Sequence, residues 1–471
     1  MKWIIIDLQV RINLTKEGAN SMIISLTLVI LILAGYFIKK NYDIKWIMFG
    51  SGMALMGSAS LLQRPLLPEE ASSGIVWFDL FTLIGTQFTK QLTGAGFILM
   101  ILFGYTAYMK CIGANQMTVQ VMSRPLLNLK HKGLLIPIFY LIGNILGLMI
   151  PSASSLSVLL MSTAYPILVS AGISPLAIGA VIAMSATIAP TPLGADNLLA
   201  SEALQMSVGE YVFSYHAKIS IPIILILSIV HLVWQSYADS KEKEQNKEIL
   251  MIEEVHSINR PIFYAMLPML PLLLMFIFNV LLKNDKIGMI EVTLCSFLIS
   301  LFCEMIRLKS MHKALESVQI FFDGMGTGFT TVVIQVVAAL TFVEGLKSIG
   351  IIDLLTDYMT QISGAGIVLT LCFCLLALSV GLLSGSGLAL FYACVELMPT
   401  FAASAGMNPV LLAIPMQFVS HLVKSISPVA PTVIIISSMM KVSPLRLIKR
   451  TIVPVSVGMI LSIILSFVML S

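Results

Sequence analysis

Apolar runs, most of them long enough for one helix across a bilayer, alternate with short polar stretches along nearly the whole chain. A membrane-crossing helix needs about 20 apolar residues. The pattern predicts such helices over 22–38, 44–62, 94–110, 133–150, 216–235, 262–282, 286–306, 329–346, 364–383 and 452–470. Four shorter apolar segments, 155–171, 176–190, 387–404 and 409–423, are interrupted or bounded by Gly, Pro and Ser. In lipid, broken backbone survives only where protein buries it or where it lines a water-filled cavity. These four segments therefore predict re-entrant hairpins and discontinuous helices. The hydrophilic stretch 236–261 reads as a solvated linker between two halves, 22–235 and 262–471. Residues 1–21 are amphipathic and mixed in charge. They read as an N-terminal extension, either an interfacial helix or, slightly favoured, an over-called start ahead of Met22. The first apolar run ends in Lys39-Lys40 rather than in a small-residue cleavage site.

The two halves repeat each other. Ser152-Ala153-Ser154-Ser155-Leu156 is followed by Pro166, Ala171-Gly172 and Ile173-Ser174-Pro175. Ser384-Gly385-Ser386-Gly387-Leu388 is followed by Pro399, Ala405-Gly406 and Met407-Asn408-Pro409. The offset starts at 232 residues (384 less 152) and reaches 234 (409 less 175). Gly96-Phe97 with Gly328-Phe329, and Pro222 with Pro454, keep the same spacing. A duplicated unit whose apolar segments are broken at matching places is the mark of a secondary transporter.

Positive charge orients the repeats, because basic residues favour cytoplasmic loops. The clusters are Lys39, Lys40 and Lys45; Arg124, Lys130, His131 and Lys132; Arg307, Lys309 and Lys313; and Lys441, Arg446, Lys449 and Arg450. With these inside, segment 94–110 runs inward while its counterpart 329–346 runs outward. Segment 216–235 ends inside and 452–470 ends outside. The expectation is an inverted-topology repeat, with two parallel copies as the alternative.

Composition narrows the class. Of 471 residues, 58% are hydrophobic and only 11% charged, and mean hydropathy is +0.96. Soluble domains carry about 25% charged residues, so the chain reads as an all-α polytopic membrane protein. The net charge of +4 lies mostly in loops and implies no nucleic-acid partner. The six cysteines, Cys111, Cys295, Cys303, Cys372, Cys374 and Cys394, show no metal-ligand spacing and read as small apolar core residues. No nucleotide loop, zinc cluster or nucleophile with its base is present. An ATP-driven pump on this chain is excluded, an enzyme is not expected, and no cofactor or metal is implied.

Each half offers two interrupted sites. The first half has Pro151–Ser155 and Pro190-Thr191-Pro192-Leu193-Gly194-Ala195-Asp196-Asn197. The second has Ser384–Gly387 and Lys424-Ser425-Ile426-Ser427-Pro428-Val429-Ala430-Pro431-Thr432. Unpaired N–H groups at a helix start, with the helix dipole, favour an oxyanion. Serine and threonine hydroxyls add donors without charge. The alternative is that Gly and Ser only permit close packing. Ionisable groups inside spans are functional candidates. Asp196 can hold a proton or Na⁺, or cap a helix. Lys424 can pair with a carboxylate or snorkel to the interface. His421, three residues earlier, reads first as a packing histidine and second as a proton relay. Glu396 reads as a structural hydrogen-bonding group or a substrate contact. Glu291, Glu304 and Glu344 lie near span ends and read as interfacial.

Across 22–470 the chain resembles the anaerobic four-carbon dicarboxylate carrier family (DcuC) of bacteria, within the wider ion transporter superfamily. The residues that carry the resemblance are Gly385-Ser386-Gly387 with Phe391-Tyr392-Ala393 and Val395-Glu396, Asn408-Pro409, Ile414-Pro415-Met416, Ser427-Pro428-Val429, and Lys449-Arg450-Thr451 with Val453-Pro454-Val455. Tyr108-Met109, Ile112–Asn115, Leu159–Met161 and Ala189–Thr191 also match. The chain departs from the family at Leu388, where asparagine is usual, and at Val423-Lys424-Ser425, where Gly-Arg-Thr is usual. The turn before Asp196 is about two residues longer. The resemblance implies transport of succinate, fumarate, malate and similar diacids in a cell inner membrane under anaerobic conditions. It implies symport or exchange with H⁺ or Na⁺, alternating access of an elevator-like kind, and a homodimer.

The expected carboxylate site is Ser152, Ser154, Ser155, Thr191, Ser384, Gly385, Ser386, Gly387 and Ser425, with Lys424 supplying charge. Asp196, Asn197 and Thr432 are expected to serve the coupling ion. The alternatives are a carrier of another organic anion, such as a hydroxy acid or amino-acid derivative, and an anion channel. A channel is disfavoured by the absence of a ring of pore charges.

Overall fold

A computed structural model describes residues 16–40, 42–68, 70–123, 132–150, 152–242, 260–282, 287–359 and 365–470. The basic cluster at Arg124, Lys130 and His131, most of the N-terminal extension, Pro151 and the heart of the linker lie outside the described residues. Within them the chain is helical and has no strand.

The first half contains α1 (Lys16–Lys39), α2 (Ile44–Leu61), α3 (Val76–Thr93), α4 (Ala95–Cys111), α5 (Ala114–Ser123), α6 (Lys132–Met149), α7 (Ala153–Ser170), α8 (Pro175–Met184) and α9 (Ala195–Ala203). A π-helical turn, Glu210–His216, then leads into α10 (Ala217–Glu242). The second half opens with a 3₁₀ segment, Ile262–Met269, and α11 (Leu270–Met275). It continues with α12 (Met289–Leu308), α13 (Met311–Glu316), α14 (Val318–Gly328), a π turn at Phe329–Val333 and α15 (Ile334–Ile349). The last elements are α16 (Ile351–Met359), α17 (Ala365–Ser384), α18 (Leu388–Val395), α19 (Met398–Ser404), α20 (Val410–Leu422), α21 (Pro431–Met439) and α22 (Pro444–Leu470).

Among the described residues seven helices are long and apolar enough to cross a bilayer, and α3 with α4 forms an eighth candidate, bent by 52°. The chain is a multi-pass membrane protein. Segment 155–171, expected to be short, is one 18-residue helix, Ala153–Ser170. Its counterpart 387–404 splits at Glu396-Leu397. Pro399, in the first turn of α19, has no N–H for the carbonyl of Val395, which weakens the helix there, although the matching Pro166 lies inside the continuous α7.

The expected breaks lie where the chemistry requires them. At the α6–α7 junction Ser152 caps α7 by accepting from the Ser155 N–H. At the α17–α18 junction Gly385 adopts φ +75°, and a Cβ there would lie 2.8 Å from the Val429 carbonyl oxygen. Between α8 and α9, Pro190 and Pro192 cannot donate, and the chain passes through a turn closed by the Gly194 N–H on the Thr191 carbonyl before α9 begins. Between α20 and α21 a 3₁₀ turn, Val423–Ser425, precedes Ser427-Pro428, and Pro431 begins α21.

Each half lends its broken elements to the other: α7 packs on α21, and α18 packs on α9. Helices α10 and α22 hold counterpart positions in the two halves and lie antiparallel. Gln235 and Asp239, near the end of α10, meet Arg450 near the start of α22. Leu227, nearer the middle of α10, lies 3.2 Å from where a Gly458 Cβ would stand. Arg450 is fully buried and pairs with Asp239 at 2.7 Å. It is thus part of a helix–helix lock rather than a loop charge ahead of the last span. Helices α2 and α15 cross closely through Gly52 and Gly345, where a Cβ on Gly345 would stand 2.6 Å from the Gly52 carbonyl.

Two expectations about single residues are revised. Glu304 is buried rather than interfacial, with the Tyr264 hydroxyl donating to it at 2.7 Å and Arg307 Nε at 2.9 Å. An unpaired buried carboxylate is costly, so its partners stand within reach. Cys374 and Cys394 are buried as expected, but Cys111, Cys295 and Cys372 lie on outer helix faces, where lipid contact suits a small apolar side chain as well as a core does.

Candidate substrate and ion site

A cavity of about 630 Å³ lies where the breaks meet, within the range typical of small-molecule sites. One wall consists of four helix starts: Ser152–Ser155 at α7, Ala195-Asp196 at α9, Gly385-Ser386 and Leu388 at α18, and Pro431-Thr432 at α21. Two come from each half. Each start presents backbone N–H groups with no partner inside its own helix, and together they set a positive field on one space. Tyr392, His421 and Lys424 complete this wall. The rest of the lining comes from Asn115 of α5 and from the unbroken backbone of α4, α14 and the π turn leading into α15.

The expected site residues divide in two. Ser152, Ser154, Ser155, Gly385, Ser386, Lys424, Asp196 and Thr432 line the cavity together. Thr191, Ser384, Gly387, Ser425 and Asn197 do not, and their bonds or contacts give the reason. The Thr191 hydroxyl donates to the Leu148 carbonyl at 2.7 Å and pins the turn before α9 to α6. Ser384 donates to the Val380 and Ser386 carbonyls, closing its own turn. Ser425 donates across the halves to the Ala183 carbonyl at 2.7 Å. Gly387 leaves room for the Ser420 backbone, whose Cα would lie 2.7 Å from a Cβ at that position. At these positions the small residues shape the breaks.

Behind the four starts runs a buried polar network. His421 Nε2 lies 2.8 Å from Asp196 Oδ2. Gln417 Nε2 donates to the same oxygen and also to Asn197 Oδ1 at 2.7 Å. The Tyr211 hydroxyl donates to Gln417 Oε1 at 2.5 Å, which fixes the orientation of the amide. Lys424 Nζ stands 3.4 Å from His421 Nδ1. An ammonium only donates, so Nδ1 accepts and the imidazole proton sits on Nε2, facing the carboxylate. Lys424, His421 and Asp196 thus form a relay that opens onto the cavity at each member. Asp196 is not a helix cap: Gly194 holds that position, and the carboxylate turns to the second half. A second pocket of about 20 Å³, large enough for one water, lies against Asp196, Asn197, His216 and His421.

Sequence reasoning read His421 first as a packing histidine, and the structure bonds it to Asp196 at the cavity; it did not pick out Gln417, Tyr211 or the polar residues of the unbroken wall. One signal was available. Gln417, His421 and Lys424 follow one another at spacings of four and three in an otherwise apolar segment, which puts them on one helix face.

A helical membrane protein whose broken helices start around one cavity has the architecture expected of a transporter. The fold is shared with solved transporters. The Alcanivorax borkumensis YdaH transporter superposes with a TM-score of 0.67 at 12% identity, covering 90% of this chain and 98% of that one. The Neisseria gonorrhoeae efflux pump MtrF does so with a TM-score of 0.59 at 14% identity, covering 92% and 97%. Sequence is more specific: the chain belongs to the DcuC family, the C4-dicarboxylate anaerobic carriers, whose profile matches residues 22–471. It is 34% identical over 437 residues to the anaerobic C4-dicarboxylate transporter DcuC of Escherichia coli, covering 93% of this chain and 94% of the relative. It is 34% identical over 441 residues to the probable DcuC of Vibrio cholerae, covering 93% and 95%. The family is one of carriers, not enzymes.

Proposed function

We propose that the chain is a secondary active carrier of C4 dicarboxylates of the succinate, fumarate and malate type. It works by alternating access, as a symporter or exchanger, in a bacterial inner membrane. The observation that carries this proposal is the convergence of four helix starts on one cavity. Each start is worth about half a positive charge, and Lys424 adds a whole one beside them. A dianion fits that field, in keeping with the substrate class in the relatives' names.

Alternating access draws support from the placement of the site. It is built from both halves, with α7 on α21 and α18 on α9, and the counterpart helices α10 and α22 run antiparallel. Two halves inverted about a shared site can open it to either side. Reporter fusions at Lys241 and after Leu470 test the inversion: opposite sides of the membrane are expected, and the same side would contradict it.

The coupling ion in this scheme is the proton. Sodium wants several oxygen ligands, yet the donors of Gln417 already face Asp196 Oδ2 and Asn197 Oδ1. Asp196 with His421 instead makes a proton acceptor next to the substrate cavity. A substrate carboxylate drawing Lys424 Nζ toward itself would free His421 Nδ1 to take a proton. Substrate and proton binding would then favour each other.

Purified protein in liposomes loaded with unlabelled succinate should exchange it saturably for external labelled succinate, with fumarate and malate competing. Linear flux without competition would make the chain a channel. Competition only by a hydroxy acid or an amino-acid derivative would make it a carrier of that class.

A further inference from the structure

The unbroken wall of the cavity, from α4 and from α14 to α15, carries a polar face of its own. Thr106 and Lys110 stand one turn apart on α4, and Thr327, Thr331 and Gln335 follow at intervals of four along α14 to α15; all five line the cavity. The three threonine hydroxyls donate to their own helices. Thr106 donates to Leu102 O at 2.9 Å, Thr327 to Asp323 O at 3.0 Å and Thr331 to Thr327 O at 2.6 Å. They present lone pairs to the cavity, and lone pairs do not bind a carboxylate. Among the described residues lining this wall, Lys110 is the one charged group.

We propose that Lys110 is the second cation of the site: it binds the far carboxylate of a dianion and so sets the preference for diacids over monoacids. This rests on the organic-anion reading above. The helix starts and Lys424 draw one carboxylate to the broken wall. The other end of the molecule is then left to the rest of the lining, where Lys110 at the end of α4, with the amide-bearing Asn115 on the next helix also lining the cavity, offers a charged donor. Asp196 does not compete for it, because its carboxylate is held by Gln417 and His421. A monoacid satisfies one lysine and leaves the other without a partner; a diacid satisfies both. The plainer role for Lys110 is favourable placement at a helix C-terminus. In that role it would be indifferent to whether the substrate has a second carboxylate.

The test compares succinate with succinamate, the same carbon chain with one carboxylate replaced by an amide. Wild type, Lys110→Gln, Lys110→Arg and the control Lys347→Gln are reconstituted, and transport KM and ligand-induced thermal stabilisation are measured for each. In Lys110→Gln the succinate KM should rise about tenfold or more, the scale of a lost charge-assisted hydrogen bond. Its affinity for succinamate should stay within about twofold. Lys110→Arg should recover most of the loss, and Lys347→Gln should change nothing. An unchanged succinate KM in Lys110→Gln, or an equal loss for both ligands, would overturn the proposal. Wild type that binds but does not move succinate would sink the carrier function; selective loss of succinate stabilisation in Lys110→Gln would still uphold the role of Lys110.

Discussion

His421 Nε2 lies 2.8 Å from Asp196 Oδ2, so an imidazole of the second half is bonded to a carboxylate of the first. The two sit 225 residues apart in the chain and are brought together because α9 and α20 both end or begin at a break. Side-chain exposure is 12% for the histidine and 11% for the aspartate, enough to reach the cavity but not bulk water.

Asp196→Asn should uncouple the carrier. Asparagine fills the space and its amide oxygen can accept from Gln417 and His421, which share one acceptor atom in Asp196, but it does not bind a proton. Accumulation of succinate driven by a pH gradient should be lost, because the carrier no longer takes up a proton with its substrate. Counterflow exchange should persist. His421→Gln should behave alike. Equal loss of both activities in both variants would assign the pair to structure instead of coupling.

Ser154 and Ser386 stand in the first turns of the break on each half and line the cavity. Replacing either with leucine should raise the succinate KM about tenfold while the protein still inserts, since a polar contact worth about 1.5–3 kcal/mol is lost. Unaltered kinetics in both would move the carboxylate away from these helix starts.

Lys424→Gln should weaken succinate and succinamate alike, because both place a carboxylate at the broken wall, and Lys424→Arg should recover part of the activity, because guanidinium also pairs with carboxylate. A lysine that only anchors the segment would change expression or insertion and leave affinity alone. Succinate affinity in the three proteins separates the two roles.

Ser425 and Thr191, by contrast, are expected to matter for stability and not for recognition. Ser425→Ala and Thr191→Val each remove a donor to a buried carbonyl, of Ala183 and Leu148 respectively. Each should cost about 1 kcal/mol, seen as a lower unfolding temperature in detergent with the succinate KM unchanged. A large KM shift in Ser425→Ala would return that hydroxyl to the substrate.

Much of the fold was legible because the bilayer imposes a length rule and broken backbone needs Gly, Pro and Ser. Helices α6, α10, α12 and α17 fall close to the runs of apolar residues, and the breaks at Ser152, Gly194, Gly385 and Ala430 fall in the four interrupted stretches. The division of labour inside those stretches was not legible. Ser384 and Ser386 are alike in sequence, but one closes a turn and the other faces the cavity. That difference depends on the φ of +75° at Gly385. Gln417 looked like one polar residue in an apolar helix, because its partners Asp196, Asn197 and Tyr211 lie more than 200 residues away. Lys110 was not singled out in the sequence, because the cavity reaching the end of α4 is a product of tertiary packing.

The most direct test of the account imposes one ion gradient at a time across proteoliposomes. With an inward proton gradient and no sodium, labelled succinate should accumulate saturably. An inward sodium gradient at matched pH should add nothing, and Asp196→Asn should abolish the proton-driven component. Accumulation driven by sodium alone, or proton-driven accumulation that survives in Asp196→Asn, would contradict the assignment of Asp196 and His421 as the coupling pair.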